Sequence, residues 1–153
     1  MTLQTFKEHY LREAADKTVT INFGRFNPPT IGHEKLLDTS MSKGTGDHRV
    51  YATQTQDKNK NPLDWKTKIK YMRKVFPSHA RHILMDKKVK EIWNALVIAH
   101  NDGYKNLELF VGDDRVTEFD KLVNKWNGVK AKHGLYDFAN IKVISAGERD
   151  PDA

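Results

Sequence analysis

The chain contains no cysteine. Disulfides, thiolate metal sites and cysteine nucleophiles are therefore excluded, and the absence fits an intracellular setting. Long apolar runs are missing too, since none approaches the roughly 20 residues that a membrane-spanning helix needs. The first residues, MTLQTFKEHYLREAADK, carry too much charge for a secretory signal. There is no internal repeat, low-complexity tract, linker or nucleophile-elbow pattern. What remains is 153 residues, 38% hydrophobic and 30% charged, enough for one soluble domain with a real core. Lys and Arg number 26 against 20 Asp and Glu, a net charge of +6. That balance suits an anionic partner such as phosphate, nucleotide or nucleic acid, or else a solvated lysine-rich surface.

Hydrophobic periodicity divides the chain into alternating strands and helices. Phe6, Tyr10 and Leu11 mark an amphipathic segment near Leu3–Ala15. TVTINFG, Thr18–Gly24, reads as the first strand, and His33–Ser42 as a helix stopped by Gly44 and Gly46. HRVYATQT is the second strand. Asn61-Pro62 then supplies a helix start, followed by Trp65, Ile69, Met72 and Phe76 on one face and ended by Pro77. RHILMD reads as a short third strand. Val89, Ile92, Trp93, Leu96 and Ala99 form the next helical stripe, closed by Asn101-Asp102-Gly103. NLELFVG is the fourth strand, Val116–Trp126 a helix ended by Asn127-Gly128, residues 127–139 a loop, and NIKVIS the fifth strand. Strands joined by helical crossovers predict an α/β fold. The expectation is a parallel five-stranded sheet with helices on both faces, plus an N-terminal helix over residues 1–16 ahead of a domain at 17–153.

One junction concentrates unusual residues: INFGRFNPPTIGHEKLL, Ile21–Leu37. A strand passes into a helix through two glycines, two prolines, an asparagine, a threonine and a histidine. In an open parallel sheet, ligands bind beyond the carboxyl ends of the strands, where strand order reverses. Helix N-termini there present free N–H groups to phosphate. Gly24 would let backbone approach a ligand, and Asn27-Pro28-Pro29 would stiffen the turn. Thr30 would cap the helix, Gly32 leave room beside it, and His33 sit in the first helical turn.

This stretch resembles the signature G-x-F-x-P-x-T/H-x-G-H of the nucleotidyltransferase superfamily of adenylyl- and cytidylyltransferases. Gly24, Phe26, Pro28, Thr30, Gly32 and His33 match at every spacing. Arg25 and Asn27 depart from the commoner small residue and Asp, and in this resemble a branch found in large tailed phages. The resemblance covers about Val19 to Ser145. It implies a Rossmann-like sheet and transfer of a nucleoside monophosphate from ATP or CTP, with Mg²⁺, to a small phosphorylated acceptor, releasing pyrophosphate. His33 and Lys68 would be the catalytic residues. Gly24, Arg25, Phe26, Asn27, Thr30, Gly32 and His33 would bind the nucleotide, joined by Gly112, Asp114 and Arg115 from FVGDDR. Lys58 and Lys60, after the second strand, would hold the acceptor's phosphate. Solvated lysines and helix-capping aspartates are the plainer readings of those last positions. No protein metal site is expected; His79-x-x-His82 has no nearby carboxylate at metal spacing. Trp65, Trp93 and Trp126 read as core.

A second signature of the superfamily, I-S-x-T-x-x-R after the last strand, has no counterpart in Ser145-Ala146-Gly147-Glu148-Arg149-Asp150-Pro151. The expectation is either a longer enzyme, of which this is part, or a variant that binds nucleotide with weak or no turnover. A further alternative is a non-catalytic phage structural or packaged protein that keeps the fold. Leu11-Arg12-Glu13 before Ala14 resembles the cleaved targeting segments of proteins packaged in large phage heads. A cytoplasmic location is expected, the host cytoplasm for a phage protein, with the virion interior as the alternative. No membrane partner is expected. A nucleic-acid partner is not expected either, because aromatics do not interleave with basic residues. The reading leaves room for a homo-oligomer.

Overall fold

The computed structural model describes residues 2, 5, 17–26, 29, 31–54 and 64–147. Apart from Thr2 and Thr5, the expected N-terminal helix with Leu11-Arg12-Glu13 lies outside them, as do Asn27, Pro28, Thr30, Lys58, Lys60, Asn61-Pro62 and Arg149. Described elements are β1 (Thr18–Gly24), α1 (Ile31–Lys43), β2 (Asp47–Ala52), α2 (Trp65–Val75), a 3-10 turn (Pro77–His82), α3 (Ile92–Asn101), β3 (Asn106–Val111), a short 3-10 turn (Asp113–Arg115), α4 (Val116–Lys125) and β4 (Asn140–Ser145). The fold is α/β, and its sheet is parallel in the order β2-β1-β3-β4. No helix among the described residues is long and apolar enough to cross a membrane.

Period-2 alternation along β1 sends its side chains to two different layers. Val19 and Ile21 enter a core with Ala95, Leu96 and Ala99 of α3, Val123 of α4, Leu107 and Leu109 of β3, and Tyr136 and Phe138. A second core joins Leu37 of α1, Val50 and Ala52 of β2, and Ile69, Met72 and Phe76 around α2. Each fully buried Ile, Leu or Met contributes about 1.5–3 kcal/mol relative to exposure. Trp65, Trp93 and Trp126 pack against these cores, as their helical spacing implied.

Among the described residues the sheet has four strands, not the expected five. The expected third strand, RHILMD, supplies only a single bridge from Ile83 to Val50 on the outer side of β2, with Leu84 N–H donating to Val50 O at 2.9 Å. Pro77 opens a 3-10 turn that runs to His82, and the chain turns again at Asp86, whose carboxylate accepts from Lys88 N–H. Too little extended backbone remains between them to make a ladder. Arg73 Nε and Nη2 donate to Ile83 O at 3.1 and 2.7 Å, which covers the carbonyl such an edge would expose. Other boundaries also move: α1 begins at Ile31 rather than His33, and Val89 lies ahead of α3, which begins at Ile92. β2 ends at Ala52 rather than continuing through Gln54, whose side chain donates to the Lys87 and Val89 carbonyls. The cap of α2 is Asp64 rather than Asn61, accepting from Thr67 N–H at 2.8 Å and from its hydroxyl at 3.0 Å.

The turn between α1 and β2 shows why its glycines are needed. A Cβ on Gly46 would stand 2.3 Å from Thr18 O, so no other residue fits without moving β1. Gly46 N–H donates to Thr20 Oγ1 at 3.1 Å, and Thr20 Oγ1 donates to Glu108 Oε1 at 2.9 Å. That carboxylate also accepts from Thr45 N–H at 2.8 Å. Glu108 is thus buried with hydroxyl and amide donors, not a cation, satisfying it.

Candidate functional site

Strand order reverses at β1. The chain passes from β1 to β2 on one side, then crosses back to β3 on the other. The parallel register pairs Asn22 with Phe110, which brings Gly24 level with Gly112. The glycine-containing turn and the FVGDDR turn therefore end adjacent strands, on the side of the sheet where ligands bind in such folds.

Phe26 follows Gly24 with φ +48°, a left-handed conformation for a bulky residue. Such backbone costs on the order of 1–3 kcal/mol and persists only where surroundings impose it. Here the ring is buried, in the core with Leu37 and Ile69. A Cβ on Gly24 would come within 3.0 Å of Phe26 Cε2. Gly24 therefore makes room for the phenylalanine ring, a reason different from the ligand approach its sequence position suggested. The Phe26 ring in turn meets the His33 ring, centroids 4.9 Å apart and planes at 55°. His33 is the third residue of α1, in its first turn and half-buried. Three signature residues distant in chemistry thus form one contact chain: Gly24, Phe26, His33.

Lys68 joins this rim from α2. Its side chain is fully buried, and its Nζ donates to Thr53 Oγ1 at 3.3 Å. Thr53 N–H donates to Gly24 O at 2.8 Å, so the threonine links the lysine to the β1 turn. Burial pushes the Lys68 ammonium down to about 8. Among the described residues the ion pairs are Arg49–Asp102 and His79–Asp38, and neither involves Lys68. Among the described residues this buried cation meets a hydroxyl and no anion.

Beyond β3, Gly112 has φ −60° and ψ 151°, which any residue can adopt. Asp113 and Asp114 are exposed and Arg115 half-buried. The cap position of α4 is Arg115, so neither aspartate occupies it. Asp113 N–H donates to Gly147 O at 3.1 Å and Ala146 N–H to Val111 O at 2.8 Å, closing the end of β4 onto the end of β3. Arg25 is exposed and Gly32 half-buried beside His33. The structure thus gathers Gly24, Phe26, Gly32, His33 and Lys68, with Gly112–Arg115 on the neighbouring strand end. Asn27, Thr30, Lys58 and Lys60 lie outside the described residues.

Sequence reading missed a buried polar cluster under α1. His48 Nε2 lies 2.6 Å from Asn22 Oδ1, and Asn22 Nδ2 donates to Ser40 Oγ at 2.8 Å. His79 Nε2 lies 2.6 Å from Asp38 Oδ1. Rings of His79 and His82 stand 6.2 and 5.5 Å from that of His48. Asn22 and Thr20 carried the signal: polar residues at inward positions of a buried strand require partners. A carboxylate distant in sequence, Asp38, does reach His79. Even so, no group of three metal-ligating side chains among the described residues is placed to hold an ion.

Burial, then the charges of His82 and His79, lowers the His48 imidazole from 6.5 to about 4. The fold holds it neutral, while the unfolded chain takes the proton near 6.5. Its contribution is intact above pH 6.5 and is lost as pH falls from 6.5 towards 4. Wild-type protein is expected to lose about 2 kcal/mol between pH 7 and pH 5 from this group. Urea denaturation at the two pH values measures it. His48→Gln, which can still donate to Asn22, should flatten that slope; an unchanged slope would assign acid sensitivity elsewhere.

Compared with protein-family models, with curated proteins and with solved structures, the chain matches none of them.

Proposed function

We propose that this chain is a nucleotidyltransferase-type domain on a Rossmann-like sheet. It would move a nucleoside monophosphate from ATP or CTP to a small phosphorylated acceptor. The observation that carries the proposal is the Gly24–Phe26–His33 contact chain at the strand-order reversal, level with Gly112 and tied through Thr53 to a buried Lys68 that has no ion pair among the described residues.

In this reading an acceptor phosphate oxygen attacks the α-phosphorus. One P–O bond forms, the bond to the bridging oxygen breaks, and pyrophosphate leaves. The work of the protein is positioning and charge stabilisation. His33 would donate to an α-phosphate or bridging oxygen, and Phe26 holds its ring in place. The first-turn N–H groups of α1 would face the phosphates. Lys68 would supply a positive charge to the acceptor's phosphate, which requires the rim around it to yield, because none of Lys68 reaches solvent. Mg²⁺ carried by the nucleotide would neutralise the β- and γ-phosphates through phosphate oxygens and water.

A second reading is a nucleotide-binding protein with weak or no turnover, or a phage structural protein that keeps the fold. Its support is the segment after β4: Ala146 and Gly147 close back on Val111 and Asp113, where the superfamily has a phosphate-gripping helix start. Calorimetric titration of the full chain with Mg·ATP and with Mg·CTP tests both readings. Saturable binding of one nucleotide, with pyrophosphate release in the presence of phosphate monoesters, is the expected result. Binding without release would favour the second reading. No binding of either nucleotide would end the transferase reading for this chain and leave a structural protein that keeps the fold.

A further inference from the structure

α2 carries Lys66, Lys68, Lys70, Arg73 and Lys74 and no acidic residue. The helix divides these charges by direction. Lys68 turns inward to Thr53, and Arg73 is committed to Ile83 O. Lys66, Lys70 and Lys74 are all exposed. At i, i+4 and i+8 they form one row along the outer face, about 6 Å apart along the axis. No described carboxylate forms an ion pair with them. Asp64, the acid whose charge interacts with Lys66, has its oxygens held by Thr67.

This row works against its own helix. Like charges at i, i+4 repel, and Lys66 stands in the first turn, at the positive end of the helix dipole. Solvated faces ordinarily intersperse both signs; this face carries one. Tyr71 adds a second feature. It is 46% exposed and lies one turn from Lys74, while Trp65 and Phe76 of the same segment pack into the core. The absence of interleaved aromatics, which argued against nucleic acid at the level of sequence, does not hold on this helix.

We propose that the outer face of α2 docks single-stranded nucleic acid, with Lys66, Lys70 and Lys74 pairing its phosphates and the Tyr71 ring stacking on an unpaired base. A row of cations flanked by an aromatic is the combination that binds single strands without sequence preference. The inference needs only the observed surface of α2, not the nucleotidyl-transfer reading.

The test is fluorescence anisotropy of a labelled oligothymidylate with the full chain, over a series of salt concentrations. Wild type should bind at low salt. The Lys66→Gln/Lys70→Gln/Lys74→Gln variant should bind more weakly, with the slope of log K against log [salt] shallower by about 2, as expected for three lost phosphate contacts. Tyr71→Ala should weaken binding about tenfold with the slope unchanged. The triple variant removes like-charge repulsion and should melt no lower than wild type, which separates lost docking from lost folding. Equal binding by wild type and triple variant, or no binding by wild type at low salt, would overturn the proposal. Equal affinity for duplex, with no effect of Tyr71→Ala, would overturn its single-strand form.

Discussion

Alanine at position 33 is expected to slow pyrophosphate release by about 100- to 1,000-fold, the usual cost of deleting one preorganised donor to a developing oxyanion. The fold should survive. His33 is half-buried in the first turn of α1 and its ring contact is with Phe26. Alanine is the better helix former, which offsets part of the lost ring contact, so stability should change by about 1 kcal/mol or less. His33→Asn keeps a donor and should recover part of the rate. The measurement is steady-state pyrophosphate release with whichever nucleotide binds and the best acceptor from a panel of phosphate monoesters. Unchanged turnover in His33→Ala would sink the catalytic assignment. A matching loss in Phe26→Leu would show that ring support, and not only the imidazole, sets the rate.

Much of this site was legible in the sequence because its residues are local. Gly24 through His33 span one strand-to-helix turn, and a periodicity switch marks the turn without any tertiary information. β1 and β4 fall where the apolar, β-branched runs place them. The failures have a common cause. RHILMD has strand-like composition, but whether it pairs depends on how Pro77 and the Asp86 turn deliver it to the β2 edge. The Gly24–Phe26 fit, the Thr53 link to Lys68 and the His48–Asn22 bond join residues distant in sequence or packed in three dimensions. No spacing rule along a single chain encodes them. Gly24 is the instructive case: its place at the end of β1 is legible in the sequence, but the phenylalanine ring two residues on that a Cβ there would meet is a matter of packing.

Lys68→Met should separate a structural lysine from one held for an anion. Methionine is similarly long and unbranched, and suits an apolar cavity. The Lys68 ammonium is lowered from 10.5 to about 8 by burial, so the folded state disfavours its charge. Below pH 8 both folded and unfolded chains carry the proton, and the penalty is present in full. Between pH 8 and 10.5 the folded chain gives up the proton first, so wild-type stability rises with pH across that window. At about 1.4 kcal/mol per tenfold change in proton affinity, the depression corresponds to about 3 kcal/mol. The Met variant is therefore expected to be more stable than wild type at pH 7, by up to that amount, and to lack the rise between pH 8 and 10. Urea denaturation at pH 7, 8 and 10 measures both effects. Its affinity for a phosphorylated acceptor should fall at the same time. A variant less stable than wild type at pH 7 would mean that the ammonium–Thr53 bond holds the rim together and that the charge serves the fold. A more stable variant that no longer binds phosphate would mean that the chain keeps a destabilising cation at the end of β2 for the anion it receives there.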